Sequence, residues 1–430
     1  LIELKGLSYE GMFFKGALEK LEVEPQIIRH GKFKSAIEPF ILEKMSEENR
    51  EQVNRFISSI WNNMKMGISK AKNISEDELN ALAENLSIQS PQNAVDYRLV
   101  NALLFEDQVR DTLRQKLEIE KDDKINKISL REYSEVNVNL GKKKYSKDKI
   151  AVIYAQGSIS SGEGDNLSIG SVTTSKAIKE AREDEKVKAI VLRVNSPGGS
   201  ALASETILRE MELAKTTKPV VVSMGDVAAS GGYYISCKAD TIVASPTTIT
   251  GSIGVFGMLF NLENMMENKL GITTDRVKTN SYADLGSPTR ALTTNERDII
   301  QNQVKRIYDT FITNVSEGRN MTKSAVDSIG QGRVWTGEDA KKLGLVDVLG
   351  GLEDAIYIAA EMANLKSYRI KNLPKLKNPL EEIIEDFSGQ VTTRLVKNEL
   401  GKSYEYYQQL NDVIQMENVQ MRMPMQFEIY

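Results

Sequence analysis

Short β-branched runs alternate with amphipathic stretches through the middle of the chain. Lys149–Gln156 and Val187–Val194 are apolar segments of strand length, and Pro219–Met224 is a buried strand of the same kind. Between them, Thr173–Arg182 and Leu202–Thr216 carry apolar residues at helical spacing. Strand–helix alternation of this kind predicts an α/β fold. Longer helical patterns lie around Arg50–Met66 and Glu296–Val315. Residues 118–148 are polar, charged and poor in large aliphatics, and read as a linker. Beyond residue 370 an amphipathic stretch (Leu380, Ile383, Ile384, Phe387) precedes a methionine-rich end (Met416, Met421, Met423, Met425). A helical tail docked on the body is the expectation there, ahead of a subunit contact or a substrate lid.

The pattern also repeats. Gly31–Pro39 lies over Asn280–Pro288 at an offset of 249, which sets Phe33 on Tyr282, Lys34 on Ala283 and Pro39 on Pro288. Ala94–Val100 lies over Ala340–Val346 at an offset of 246, and each is followed by an acidic pair, Glu106-Asp107 and Glu353-Asp354. Two collinear anchors at nearly one offset define a tandem arrangement. The copies are unequal, because Ala283 lies 133 residues after Ile150 whereas 33 residues precede Lys34. By extension of the repeat, about 100 residues of the first copy are absent, and a fragment is the expectation. The expected organisation is the C-terminal part of a first repeat (1–117), a charged linker (118–148), a complete second repeat (149–370) and a helical tail (371–430).

Composition narrows the chemistry. The 430 residues, 40% apolar and 27% charged, suffice for two or more packed domains. A net charge of −4 gives no reason to expect nucleic acid as a partner, and Lys142-Lys143-Lys144 lies among acids. The one cysteine, Cys237, excludes an internal disulfide framework and any multi-cysteine metal site. The one histidine, His30, excludes a His-rich metal site and leaves a Ser-His-Asp triad a single candidate base. His30 sits in a strand-to-turn setting and reads as structural. No stretch of 18 apolar residues and no signal peptide is present, and the sequence starts at Leu1 rather than methionine.

Three segments of the second copy share one theme. Asn195-Ser196-Pro197-Gly198-Gly199-Ser200 follows a buried strand, and its glycines can leave backbone N–H groups open to a ligand oxygen. A plain strand-to-helix turn accounts for that segment equally well. In Ala229-Ser230-Gly231-Gly232-Tyr233 a helix begins at Ser230. An N-cap serine needs no glycines behind it, and two in a first turn cost about 1 kcal/mol each against alanine. They make sense where a substrate backbone presses on free N–H groups that favour an anionic oxygen. Thr250-Gly251-Ser252-Ile253-Gly254-Val255 spaces its glycines so that an open strand face, or merely a tight bend, results.

Together these segments resemble signal peptide peptidase A (protease IV), of the crotonase/Clp-like superfamily, and the resemblance covers nearly the whole chain. It implies tandem crotonase/Clp-like α/β domains, the first lacking its N-terminal part. It implies Ser230 as nucleophile and Gly198 or Gly199 with Gly231 as oxyanion donors. Ser252 then supports a general-base lysine, and Gly232, Tyr233, Gly251, Ile253, Gly254 and Val255 are implied to line the peptide. In the tandem form the base lies in the first repeat, within a motif matched by Lys34-Ser35-Ala36-Ile37-Glu38-Pro39-Phe40. The second copy has Ala283 there, so one copy carries the nucleophile and the other the base. The resemblance further implies no metal or organic cofactor, and signal peptides and other short apolar peptides as substrates. It implies a homo-oligomer (a tetramer for the tandem form) and a bacterial inner-membrane, periplasm-facing setting through an anchor outside this sequence.

A free lysine is protonated at neutral pH, with a pKa of about 10.4. Burial disfavours its charged form, and Lys34 has Phe33, Ala36, Ile37, Pro39 and Phe40 around it. Neutral, it can take a serine proton. Two other readings stay open on the residues alone: an acyl-CoA-processing enzyme of the crotonase type, and a catalytically silent scaffold that binds apolar peptides. A phage capsid-maturation protease shares the nucleophile motif, but the tandem repeat counts against it.

Overall fold

The computed structural model describes residues 3–120, 122–135, 146–165, 167–374 and 419–423. Its strands in chain order are β1 (Glu24–His30), β2 (Lys149–Gln156), β3 (Ser158–Ser160), β4 (Ser168–Gly170), β5 (Val187–Ser196), β6 (Gly198–Ser200), β7 (Val220–Ala229), β8 (Thr241–Ala244), β9 (Ile249–Gly251), β10 (Val255–Asn261), β11 (Val334–Thr336), β12 (Val348–Leu349), β13 (Arg369–Leu373) and β14 (Val419–Arg422).

The apolar runs form the centre of an eight-stranded sheet ordered β11-β9-β7-β5-β2-β13, with β8 on β7 and β12 on β8. β13, β2, β5 and β7 run parallel. Successive residues of these strands point to opposite faces, and both faces are covered. Ala151, Ile153, Ile190, Leu192, Val220 and Val222 join a core that includes Ala177, Ile178, Ala181, Ile207, Leu208 and Met211 of the helices Ser171–Glu183 and Ala201–Lys215. Ile150, Val152, Ala189, Val191 and Val221 join Ala355, Ala359 and Ala360 of the helix Leu352–Met362. Covered on both sides, such strands need apolar residues at every position, which is why the sequence shows runs rather than alternation. The α/β class expected from the pattern is the class observed.

A second sheet of six strands has the order β1-β10-β14-β6-β3-β4. Here β1, from the first repeat, pairs antiparallel with β10, from the second, over the full register Glu24↔Asn261 to His30↔Val255. The repeat is visible in the helices. Glu47–Lys72 and Thr294–Arg319 are both 26 residues long and displaced by 247 positions. Pro91–Asp96 and Gly337–Lys342 are both six residues long and displaced by 246.

The chain divides into two compact units, one of Leu1–Ser8, Ile60–Ser146 and Tyr430, the other of Tyr9–Ser59 and Lys147–Ile429. The first is packed around Leu4, Ile74, Leu79, Leu82, Ile88, Ala94 and Leu99. The second holds both sheets. This division does not follow the repeat boundary, because β1 is hydrogen-bonded into the second copy's sheet. The stretch read as a linker contains a short helix, Leu130–Glu135. Val419–Arg422, where a helical tail was expected, is a strand. Met416, Met425 and the stretch Leu380–Phe387 lie outside the described residues. Among the described residues, no helix is long and apolar enough to cross a membrane, and no cluster of His, Cys, Asp or Glu is arranged to hold a metal.

Candidate active site

β7 ends at Ala229, and a one-turn helix, Gly231–Tyr234, follows Ser230. Ser230 itself has φ +55°, a conformation that a residue with a Cβ adopts at the expense of about 1–3 kcal/mol. Its N–H donates to the Gly251 carbonyl (2.8 Å), which holds the strained turn in place. A Cβ on Gly232 would come within 2.7 Å of the Ser196 carbonyl oxygen. That glycine is required by the protein's own packing.

Lys34 arrives from the other side. β1 ends at His30, Gly31 turns the chain at φ +107°, and Lys34 opens the 3-10 turn Ser35–Ile37. The lysine is fully buried. Its Nζ lies 2.8 Å from Ser230 Oγ, 3.1 Å from Ser252 Oγ and 3.3 Å from the Ser252 carbonyl. Burial pushes the Lys34 amine well below the ordinary lysine range. A neutral amine has two hydrogens and one lone pair. The two Ser252 oxygens accept the hydrogens, and Ser252 Oγ in turn donates to the Gly332 carbonyl (3.4 Å). Ser230 Oγ occupies the third position around the nitrogen. Ser252, like Ser230, has positive φ, at +49°.

A second layer holds the lysine loop. The Phe33 N–H donates to the Gln331 carbonyl (2.9 Å), Gly332 N–H to Ile253 (2.7 Å), and Ser252 N–H to Arg333 (2.7 Å). Gly332, at φ +80°, packs against the lysine so closely that a Cβ there would sit 2.6 Å from Lys34 Cβ. Buried Gln52 donates to Ser35 Oγ (2.7 Å) and the Phe33 carbonyl (3.3 Å), and its Oε1 accepts from Val334 N–H (3.2 Å). The Arg333 guanidinium lies 4.6 Å from both the Phe33 and the Trp335 ring centroids. Buried Glu38 turns away from the lysine and accepts from Ser46 N–H and Oγ and from Asn49 Nδ2. There it serves the start of the helix Glu47–Lys72.

Lys34, Ser230 and Ser252 are thus brought together as the sequence suggested. Gly198 and Gly231 are grouped too, around the carbonyl of Met421, whereas the bare face of Gly199 is against the backbone of Ile159. A Cβ on Gly198 would collide with that oxygen, and one on Gly231 would come within 3.0 Å of it. The Gly198 N–H is occupied by Ser196 Oγ (3.1 Å). The residues implied to line a peptide lie as follows. The bare faces of Gly251 and Gly254 are filled by Trp335 and by Gly332 with Lys34. Tyr233, Ile253 and Val255 are buried, and Tyr233 donates its hydroxyl proton to the Leu345 carbonyl. His30 packs its ring on Tyr308, 4.1 Å between centroids. Gln52, Gly332 and the strand β14 were not singled out from the sequence as parts of a site. The methionine-rich end was the one signal of β14, and Gln52 and Gly332 left none.

Fold and site together define an α/β protein that sets a strained serine against a buried lysine. Peptidase family S49 matches residues 1–120 and 212–366, well over half of the chain, and the chain belongs to that family. Lys34 falls in the first matched segment, Ser230 and Ser252 in the second; two matches along one chain agree with the tandem arrangement. The chain is 40% identical to Protease 4 of Salmonella typhi over 402 residues, 92% of this chain and 64% of that protein. It is 40% identical to Protease 4 of Haemophilus influenzae, over 84% of this chain and 60% of that protein. It is 35% identical to the chloroplastic serine protease SPPA of Arabidopsis thaliana, over 90% and 58% respectively. The chain therefore spans about three fifths of the length of these relatives.

Proposed function

We propose that this chain is a serine endopeptidase, with Ser230 as nucleophile and Lys34 as general base, that degrades released signal peptides and other short apolar peptides. The approach of a fully buried Lys34 Nζ to within 2.8 Å of Ser230 Oγ carries the reading. The neutral amine takes the Ser230 proton as Oγ attacks the scissile carbonyl. The N–H groups of Gly231 and Gly199 receive the tetrahedral oxyanion; each such donor is worth about 3 kcal/mol of transition-state stabilisation. Lys34, now charged, returns the proton to the leaving amine. A water then repeats the sequence on the acyl-enzyme. Ser252 holds the amine's hydrogens throughout, so the lone pair does not swing away from Ser230. No metal or organic cofactor enters the scheme. Homo-oligomeric assembly and work at a membrane belong to the same reading.

Ser230→Ala and Lys34→Ala should each lower turnover of a leucine-rich peptide by at least about a thousandfold, with the far-UV circular dichroism unchanged. A fluorophosphonate should add its mass to Ser230 of the native chain. Full turnover in either variant, or labelling of another residue, overturns the assignment; binding of the peptide without turnover would favour the silent scaffold.

A further inference from the structure

The turn that carries Lys34 rests on one buried tyrosine. Tyr308, on the helix Thr294–Arg319, is 2% exposed. Its ring packs against His30, the last residue of β1, with 4.1 Å between centroids. Its hydroxyl donates to Asp327 Oδ1 (2.5 Å), on the short helix Lys323–Ile329, and accepts from the Gln331 N–H (3.2 Å). Gln331 Nε2 donates to the same Asp327 oxygen (2.5 Å). Gln331 is thereby held by backbone and side chain together. Its φ is +55°, in the left-handed region that a residue with a Cβ disfavours, and Gly332 follows at φ +80°. In this conformation the Gln331 carbonyl accepts from the Phe33 N–H (2.9 Å) and lies so near Gly31 that a Cβ there would come within 2.4 Å of it. Residues 30, 31 and 33 of the arm therefore all rest on Tyr308 or Gln331, and Gly332 lies on the stem of residue 34.

We propose that Tyr308 and Asp327 are positioning residues for the general base: they hold Gln331 left-handed and through it keep the Lys34 arm closed against water. The inference rests on the peptidase reading and deepens it. Backbone strain of this kind persists only where the surroundings impose it, and here the Tyr308 hydroxyl and the Asp327 carboxylate do so. Without them a glutamine relaxes to negative φ. Its carbonyl then turns from Phe33, Gly332 lifts from the lysine stem, and water reaches Nζ. The amine reports this closure, because uncharged groups face it: Ser230 Oγ, Ser252 Oγ and the Ser252 carbonyl. Arg333 and Glu38 are engaged elsewhere. Arg333 lies on the Phe33 and Trp335 rings and pairs with Glu51, and Glu38 accepts from Ser46 and Asn49. Burial is the cause that lowers the Lys34 pKa, so opening the arm raises it.

The pH profile of kcat/KM tests this, since its acid limb reports the base of the free enzyme. Tyr308→Phe keeps the ring against His30 and removes only the hydroxyl. Its limb should move up by about one pH unit, and kcat/KM at neutral pH should fall about tenfold, the loss of neutral amine that such a rise produces. The loss should fall on kcat, with KM for a leucine-rich peptide retained. Asp327→Ala, at a half-buried position of a short helix, should act in the same way and serves as the second variant should Tyr308→Phe misfold. Tyr308→Phe/Gln331→Gly should bring the limb back toward its native position, because glycine takes a positive φ without the clamp, whereas Tyr308→Phe/Gln331→Val should not. Lower turnover with the limb unmoved marks a merely structural role and overturns the proposal. Native kinetics in both single variants, a change confined to KM, or no recovery with glycine overturns it as well. Native turnover in Lys34→Ala overturns the dyad itself, whatever the Tyr308 variants do.

Discussion

A lysine amine surrounded by apolar side chains and three serine oxygens is the centre of this molecule's chemistry, and its protonation sets both activity and stability. Burial lowers the Lys34 pKa in the folded state. Between that lowered value and the ordinary lysine value of about 10.4, the unfolded chain holds a proton on Lys34 that the folded chain does not. The unfolded state then binds more protons, so the contribution of Lys34 to stability rises with pH across this window. Urea midpoints of the native chain and of Lys34→Met, compared from neutral pH upward, should shift in favour of the native chain as pH climbs. A difference independent of pH would mean that the amine is solvated. For the same reason kcat/KM should rise with pH well below the ordinary lysine range.

Two elements position that amine: the turn after β1 and the segment Gln331–Thr336. Their backbones are joined through Phe33 and Gln331, and Gly332 lies flat on the lysine stem. Gly332→Ala would put a methyl group 2.6 Å from Lys34 Cβ at a backbone angle unsuited to alanine, so the lysine must move. A displacement of an ångström should lower kcat/KM by about a hundredfold. Gln52→Leu should also lower activity, with a loss of about 1–3 kcal/mol of stability from the unpaired Val334 N–H. Native-like kinetics in Gly332→Ala would remove the packing argument. The helices and strands around these elements were legible, since Thr173–Arg182 and Leu202–Thr216 announced themselves by spacing. Gln52 was not, because the partners through which it reaches the lysine loop and β11 lie 17, 19 and 282 positions away.

For the whole molecule, the tandem arrangement unites within one chain two residues 196 positions apart. Mixing Ser230→Ala and Lys34→Ala chains, unfolded together and refolded, should therefore restore no activity. Recovery toward a quarter of the native rate would show that the lysine arm crosses between chains. The pairing of β1 with β10 explains why the compact unit cuts across the repeat: seven registered strand positions outweigh chain proximity.

Hydrophobic runs, helical spacing and the collinear repeat were enough to define an α/β tandem chain, and the family resemblance carried by short motifs singled out Ser230, Lys34 and Ser252. The burial of Lys34 was decided only in three dimensions, by Gln331–Val334 closing over it from far along the chain. So was the state of Val419–Met423, since a short apolar run fits a helix or a strand equally until a partner edge is present. Desolvation and strand pairing are properties of neighbours, and neighbours are chosen by the fold.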